Sequence, residues 1–243
     1  MLAVKTAHWK PDHPVVDDLV SLVPRLSDGV VVAVASKMFS VLAGCRLPKD
    51  GVVWSQLLQE ESDGLCSSLS ENDDYCLTLK MGRLIVNAGI DHSNGGGDYL
   101  LLPRNLQQLT ELFWQRLRER DRVRELGLVV TDSGILPLRR GVMGIALAWC
   151  GIEAVYDYTD RIDLDGNLME VTAINVVDSL ATAATLVMGE GAESTPIALI
   201  TEMGEHVKFV DHVPSLRDLK AAQMDMERDL YSKVLSYDKM GWG

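Results

Sequence analysis

Short apolar runs broken by polar turns alternate along this chain with stretches in which apolar positions recur every three or four residues. Gly29-Val30-Val31-Val32-Ala33-Val34-Ala35 carries no polar side chain, the pattern of a strand buried on both faces, and Ser36-Lys37 ends it. Leu84 to Val86, Tyr99 to Pro103, Leu128 to Thr131, Gly141 to Gly151, Met169 to Val177 and Pro196 to Ile200 predict further strands. Helical spacing appears over Pro14 to Leu26, with Val15, Leu19, Leu22 and Val23 on one side, and again near Trp54 to Glu60. Asn105 to Leu126 is the clearest helix. Asn105 is its cap, Leu109, Leu112, Phe113, Leu117 and Val123 form its apolar stripe, and Gly127 is its stop. Asp178 caps an alanine-rich helix to Met188, whose small residues predict close packing. Ser215 caps a last amphipathic helix to about Ser236, with Leu216, Leu219, Met224, Met226, Leu230 and Val234 apolar, a stripe that suits core or a dimer contact. Helices feeding strands that end in polar turns predict an α/β (mixed α+β) fold of mixed sheets with packed helices.

Composition narrows the class. With 243 residues, 47% of them hydrophobic, the chain has enough apolar surface for a sizeable core. No apolar run reaches the roughly 18–20 residues that span a bilayer, and Met1 to Lys5 lacks a signal-peptide pattern, so a cytoplasmic protein without membrane partners is expected. Cys45, Cys66, Cys76 and Cys150 are scattered with no C-x-x-C pair, which predicts reduced thiols rather than a zinc site, with Cys150 a small core residue. A formal net charge of −12 repels polyanions and argues against nucleic acid. It does not exclude a nucleotide, because a divalent cation can carry phosphates against carboxylates.

Candidate chemistry gathers in acidic turns. Asp91 follows one expected strand and Asp132 another, while Glu190 follows the alanine-rich helix. Carboxylates at neighbouring strand ends converge on one sheet edge, where Mg²⁺ or Mn²⁺ can bridge them to phosphate. Taken singly, Asp132-Ser133-Gly134 also reads as a capped turn and Asp91-His92-Ser93-Asn94 as an Asx turn. Gly95-Gly96-Gly97 marks a mobile loop. Neither G-x-x-x-x-G-K-[ST] nor a strand-borne G-x-G-x-x-G occurs. Arg139-Arg140 suits either solvent or a phosphate or carboxylate partner. The five histidines form no i, i+4 metal pair, and only His92, beside Asp91, invites a functional reading.

Taken in order, the motifs resemble the coenzyme F420-0:γ-glutamyl ligase family. They are Val34-Ala35-Ser36-Lys37-Met38-Phe39-Ser40, Asn87-Ala88-Gly89-Ile90-Asp91-His92-Ser93-Asn94, Leu100-Leu101-Leu102-Pro103, Thr131-Asp132-Ser133 and Pro137-Leu138-Arg139-Arg140-Gly141. Asp163-Leu164-Asp165-Gly166-Asn167-Leu168 and Asp178 to Ala184, continuing through Met188-Gly189-Glu190 to Pro196, complete the set. The resemblance implies a nucleotide-driven ligase that adds L-glutamate through a γ-linked amide to an acidic deazaflavin acceptor by way of an acyl phosphate. It implies metal ligands at Asp91, Asp132, Ser133 and Glu190 for Mg²⁺ or Mn²⁺. It implies GTP or ATP contacts at Ser36, Lys37 and Asn94 and along the loop containing Gly189, Gly191 and Ser194. It further implies a homodimer. Residues 1–204 form the ligase-like α/β region, as one unit or two intertwined subdomains, and 205–243 form an extension carrying the amphipathic helix.

Two departures bear on the phosphates. Where the family usually reads S-K-A-E-G-R, this chain has Ser40-Val41-Leu42-Ala43-Gly44-Cys45-Arg46, and where it usually has G-R-P after T-D-S, this chain has Gly134-Ile135-Leu136-Pro137. A lysine and an arginine are thereby replaced by apolar residues. The alternatives are a relative acting on a folate-like or other acceptor, and a non-catalytic nucleotide- or metabolite-binding protein that kept the fold.

Overall fold

Every residue from Val30 to Val34 is buried, and their side chains alternate between two separate cores. In the computed structural model, which describes residues 1–7, 15–65, 75–93, 95–225 and 227–231, this strand (Val30–Ala35) is the middle of a five-stranded sheet. It runs parallel to Leu126–Gly134 and antiparallel to Ile197–Ile200. Leu2–Val4 and Met143–Cys150 close the two edges, both antiparallel. The fold is α/β, with helices on both faces of a mixed sheet.

One face packs Val30, Val32, Val34, Leu126, Leu128 and Val130 against helices Val16–Leu22, Ser36–Leu42 and Leu106–Asp121. Phe39 and Phe113 meet there edge to face at 5.8 Å. Asp121 locks the helices together. Its carboxylate accepts Arg25 Nη1 at 2.7 Å, Arg120 Nε at 3.0 Å and the Leu26 amide at 3.0 Å, while Arg120 Nη1 donates to the Val20 and Val23 carbonyls that end the first helix. The other face packs Val31, Ala33, Val129 and Trp149 against helix Val176–Met188. That helix lies very close to the sheet. A Cβ on Gly144 would stand 2.3 Å from the Ala181 carbonyl, and Thr182 Oγ1 donates to the Gly144 carbonyl at 2.8 Å.

A satellite region lies beside the sheet. It holds a three-stranded sheet (Gly64–Leu65, Leu77–Lys80, Arg83–Val86), the pair Arg46–Pro48 with Asp98–Leu100, and helix Trp54–Glu61 over a small core of Leu57, Leu58, Ala88 and Ile90. A ribbon of Val155–Asp157 with Ala173–Asn175 stands on the side of helix Val176–Met188.

Several expectations change. Ser36-Lys37 does not merely end the strand; it opens helix Ser36–Leu42, whose Met38, Phe39 and Leu42 are buried. The long central helix stops at Asp121 with Arg122 in the left-handed conformation, Gly127 lies inside the next strand, and Asn105 makes no side-chain capping bond. Leu112 is exposed, whereas Leu106 and Trp114 do the burying. The alanine-rich helix is capped by Asn175, which accepts the Asp178 amide, and the Asp178 carboxylate instead receives the Ala146 amide at 2.7 Å. Ser215 does cap a helix, but it spans only Leu216–Ala221. Leu216 and Leu230 are exposed and Leu219 is half-buried on the second core, so the expected apolar face lacks the packing that would sustain a longer helix. Met226, Val234, Pro14 and Cys66 lie outside the described residues. Cys150 is a core thiol, its pKa pushed far up by burial. No helix among the described residues is long and apolar enough to cross a membrane.

Candidate active site

The parallel strands Val30–Ala35 and Leu126–Gly134 pair from Val30↔Leu126 to Ala35↔Thr131 and then diverge. The first turns directly into helix Ser36–Leu42. The second runs on through Asp132 and Ser133, which pair with Ile145 and Gly144 beyond a register shift between Val130 and Thr131. Asp132-Ser133 is therefore strand, not the turn its sequence suggests. Divergence of neighbouring strands at their carboxyl ends leaves a crevice above the sheet, the usual ligand position in such folds. Here it is a cleft of about 1220 Å³, above the roughly 300–1,000 Å³ of a typical single-ligand pocket, and so has room for two substrates.

Asp91, Asp132, Ser133 and Glu190 all line this cleft, as do Ser36, Lys37, Gly189, Gly191 and Ser194. Asn94 lies outside the described residues. Arg139 and Arg140 are not among the lining residues; they sit exposed on the turn after Leu136.

Asp91 is aimed by its own motif. Asn87, Ala88 and Gly89 all have positive φ (53, 53 and 69°), a tight turn held by Cys76 N donating to Asn87 Oδ1 at 2.7 Å and Ala88 N donating to Thr78 Oγ1 at 2.8 Å. The chain then pairs through Asp91↔Leu100. Asp91 Oδ1 accepts Ser93 N and Ser93 Oγ, an Asx turn as expected, and Oδ2 meets Lys37 Nζ at 2.6 Å. Lys37 Nζ also donates to Ser93 Oγ at 3.0 Å.

Asp132 is half-buried at the cleft floor. Burial pushes its carboxyl up to about 6. The charge of Asp91 adds to the rise, while hydrogen bonds from the Ser133 amide and the Ser36 hydroxyl and the charge of Lys37 restrain it. Ser133 Oγ donates to Glu190 Oε2 at 2.7 Å. Glu190 opens a loop whose Gly189 has φ +75° and whose Gly191 amide donates to Glu193 Oε2 at 2.8 Å. Among the described residues no three acidic, histidine or cysteine side chains form a ready-made metal cage. Mg²⁺ does not require one, since it is held by one or two carboxylates plus substrate phosphates. The oxygen-only donor set, and an Asp132–Asp91 repulsion that Lys37 offsets only in part, fit such a cation.

Three further features line the cleft. Trp54, His92 and Tyr99 form an aromatic cluster in the cleft. Buried Thr131 Oγ1 has no hydrogen-bond partner. Apolar Val41 and Ile135 both line the cleft, and among the described residues Lys37 is its sole lysine or arginine. His92, beside Asp91, and Val41 and Ile135, in the altered motifs, had a signal in the sequence; the gathering of Trp54 and Tyr99 onto His92 and the unpaired Thr131 hydroxyl had none.

The sequence model of the F420-0:Gamma-glutamyl ligase family matches residues 15–202. Among curated relatives, the coenzyme F420:L-glutamate ligase of Halobacterium salinarum is 33% identical over 242 residues, covering 90% of this chain and 92% of that protein. Those of Archaeoglobus fulgidus and Methanocaldococcus jannaschii are 32% and 27% identical, each covering 76% of this chain, and 81% and 79% of their own lengths. With this match spanning four of the five sheet strands and Asp91, Asp132, Ser133 and Glu190 of the cleft, the chain belongs to the F420-0:gamma-glutamyl ligase family.

Proposed function

We propose that this chain is a metal- and nucleotide-dependent ligase that joins L-glutamate through a γ-linked amide to a small acidic acceptor of the F420 type. The observation that carries this reading is the convergence of Asp91, Asp132, Ser133 and Glu190 on one cleft large enough for nucleotide and acceptor together. In the chemistry proposed, the γ-phosphoryl group of GTP or ATP passes to an acceptor carboxylate, releasing the nucleoside diphosphate. The glutamate amine then attacks the acyl carbonyl, the C–N bond forms, phosphate leaves and the amine proton passes to water.

A bound Mg²⁺ or Mn²⁺ supplies charge neutralisation at the phosphates. Asp91 and Asp132 are the residues that would hold it, with Ser133 Oγ and Glu190 completing the oxygen set. Lys37 sits 2.6 Å from Asp91 and brings a positive charge to the same corner, where it both restrains Asp91 and faces incoming phosphate. The Gly189–Ser194 loop presents backbone to the nucleotide. Ser36, buried at the first turn of its helix, holds Asp132 in place.

We also propose that the chain forms a homodimer, with the exposed hairpin around Asp163–Asn167 as its contact. Ile162 pairs with Leu168 there, and both are exposed together with Leu164 and Val171, an apolar group that a second copy would cover.

The decisive assay supplies coenzyme F420-0, L-glutamate, GTP or ATP, and Mn²⁺ or Mg²⁺, and follows phosphate release together with the mass of the acceptor. A glutamyl mass increase in step with phosphate supports the reading. A folate-like acceptor that reacts in place of the deazaflavin would redirect it. Metal-dependent nucleotide binding without turnover favours the binding-protein alternative, for which Val41 and Ile135 in the cleft are the relevant observation.

A further inference from the structure

The acidic corner occupies one part of the cleft, and a different chemistry lines another. Trp54, His92 and Tyr99 stand with ring centroids 4.6, 5.5 and 4.9 Å apart, Trp54 and Tyr99 each edge-on to His92. All three face the cleft, as does largely exposed Tyr75. The cluster is anchored to regular elements. Trp54 opens helix Trp54–Glu61, Tyr99 pairs across to Leu47, and both rest on the small core of Leu57, Leu58, Ala88 and Ile90. Lys49 Nζ donates to the His92 carbonyl at 3.2 Å and lies 5.1 Å from the Tyr99 ring centroid, bracing the same corner. The Asp91↔Leu100 bridge makes the two sites neighbours in the chain, because His92 and Tyr99 flank the residues of that bridge.

We propose that Trp54, His92 and Tyr99 form a stacking wall that seats the planar conjugated ring of a substrate and so sets ring specificity. This rests on the ligase reading for its substrates, but not for its test. Three π-surfaces held by packing at the edge of the cleft lose little freedom on binding and favour a flat, polarisable ring over an aliphatic ligand of equal charge. Both a deazaflavin acceptor and a nucleobase offer that chemistry, and charge can be discounted by comparison with a ringless polyphosphate. The wall also suits a cleft in which Lys37 is the sole lysine or arginine among the described lining residues, since stacking then carries binding that charge does not.

The test is equilibrium binding to the full chain with Mg²⁺, using coenzyme F420, GTP and inorganic tripolyphosphate as separate probes on wild type, Trp54→Leu, Trp54→Phe and His92→Leu. Stacking on one aromatic predicts that each Leu variant weakens a ring-bearing probe about tenfold, that Trp54→Phe restores most of the loss, and that tripolyphosphate is unmoved. Loss confined to coenzyme F420 assigns the wall to the acceptor, and loss confined to GTP assigns it to the base; either supports the wall. Unchanged binding of both ring probes overturns it, and so does an equal loss for tripolyphosphate. Should Trp54→Leu fail to fold, exposed His92→Leu carries the same comparison. Ring-dependent binding in a protein with no ligation would leave the wall standing and defeat the ligase reading instead.

Discussion

Ser133 Oγ donates to Glu190 Oε2 at 2.7 Å, joining the end of a central strand to a loop 57 residues further along the chain. This bond sets the gap between the floor of the cleft and its glycine-bearing rim. Glu190→Gln keeps an acceptor oxygen for Ser133 while removing a negative charge. We expect unchanged melting, with metal-dependent nucleotide turnover reduced about tenfold or more, since one lost charge-assisted contact is worth roughly 1.5–3 kcal/mol. A variant with wild-type turnover at limiting Mn²⁺ would remove Glu190 from the metal set.

Asp132→Asn should abolish turnover and, without ligands, stabilise the protein at neutral pH. A carboxyl whose folded pKa is raised to about 6 binds its proton more tightly in the fold than in the unfolded chain. Its contribution is fully present below pH ~4 and is lost as pH rises through ~6, leaving an unfavourable term of up to about 3 kcal/mol at pH 7. The variant should therefore melt higher than wild type at pH 7 and alike at pH 4. Asp163→Asn, in an exposed turn where Oδ1 accepts the Asp165 and Asn167 amides, should leave turnover intact. Equal melting of wild type and Asp132→Asn at pH 7 would contradict the burial argument.

Asp121 predicts the opposite pH behaviour. Burial alone would raise its pKa, but bonds from Arg120, Arg25 and the Leu26 amide outweigh it and hold the carboxyl at about 2. Its stabilisation is present above pH ~4 and is lost as pH falls toward ~2, amounting to about 2 kcal/mol. Chemical denaturation of Asp121→Asn should show that deficit at pH 7 and little of it at pH 2.5. A constant difference at both pH values would argue that packing, not charge, is what the substitution removes.

Gly144→Val should destabilise the fold by about 1–3 kcal/mol or prevent folding, because its side chain meets the Ala181 backbone rather than a movable group. Gly166→Ala, with nothing within 4 Å of the added Cβ but φ at +86°, should cost about 1 kcal/mol through backbone strain alone. Comparison of the two melting curves separates the close approach of helix to sheet from local turn strain.

For the proposed dimer contact, Leu164→Asp combined with Leu168→Asp should shift the mass measured by light scattering from two chains to one, with melting of the monomer unchanged. A wild-type protein that already elutes as a single chain would dispose of the assignment.

The buried strand Val30–Ala35, the existence of the helix beginning after Asn105 and the candidacy of Asp91, Asp132 and Glu190 as cleft residues were readable because each leaves a local signature: an unbroken apolar run, a helical stripe, or a carboxylate just past an expected strand or helix end. The order of the sheet strands, the register shift that keeps Asp132-Ser133 in a strand, the short C-terminal helix and the placement of Arg139-Arg140 were not. These depend on partners far away in sequence. Asp132 reaches the cleft because its strand pairs with both Val30–Ala35 and Met143–Cys150, and Trp54, His92 and Tyr99 become one surface only through the pairing of Asp91 with Leu100 and of Leu47 with Tyr99. Periodicity reports which face of an element turns inward, whereas which elements meet, and hence which side chains share a cavity, follows from the packing of whole faces against one another.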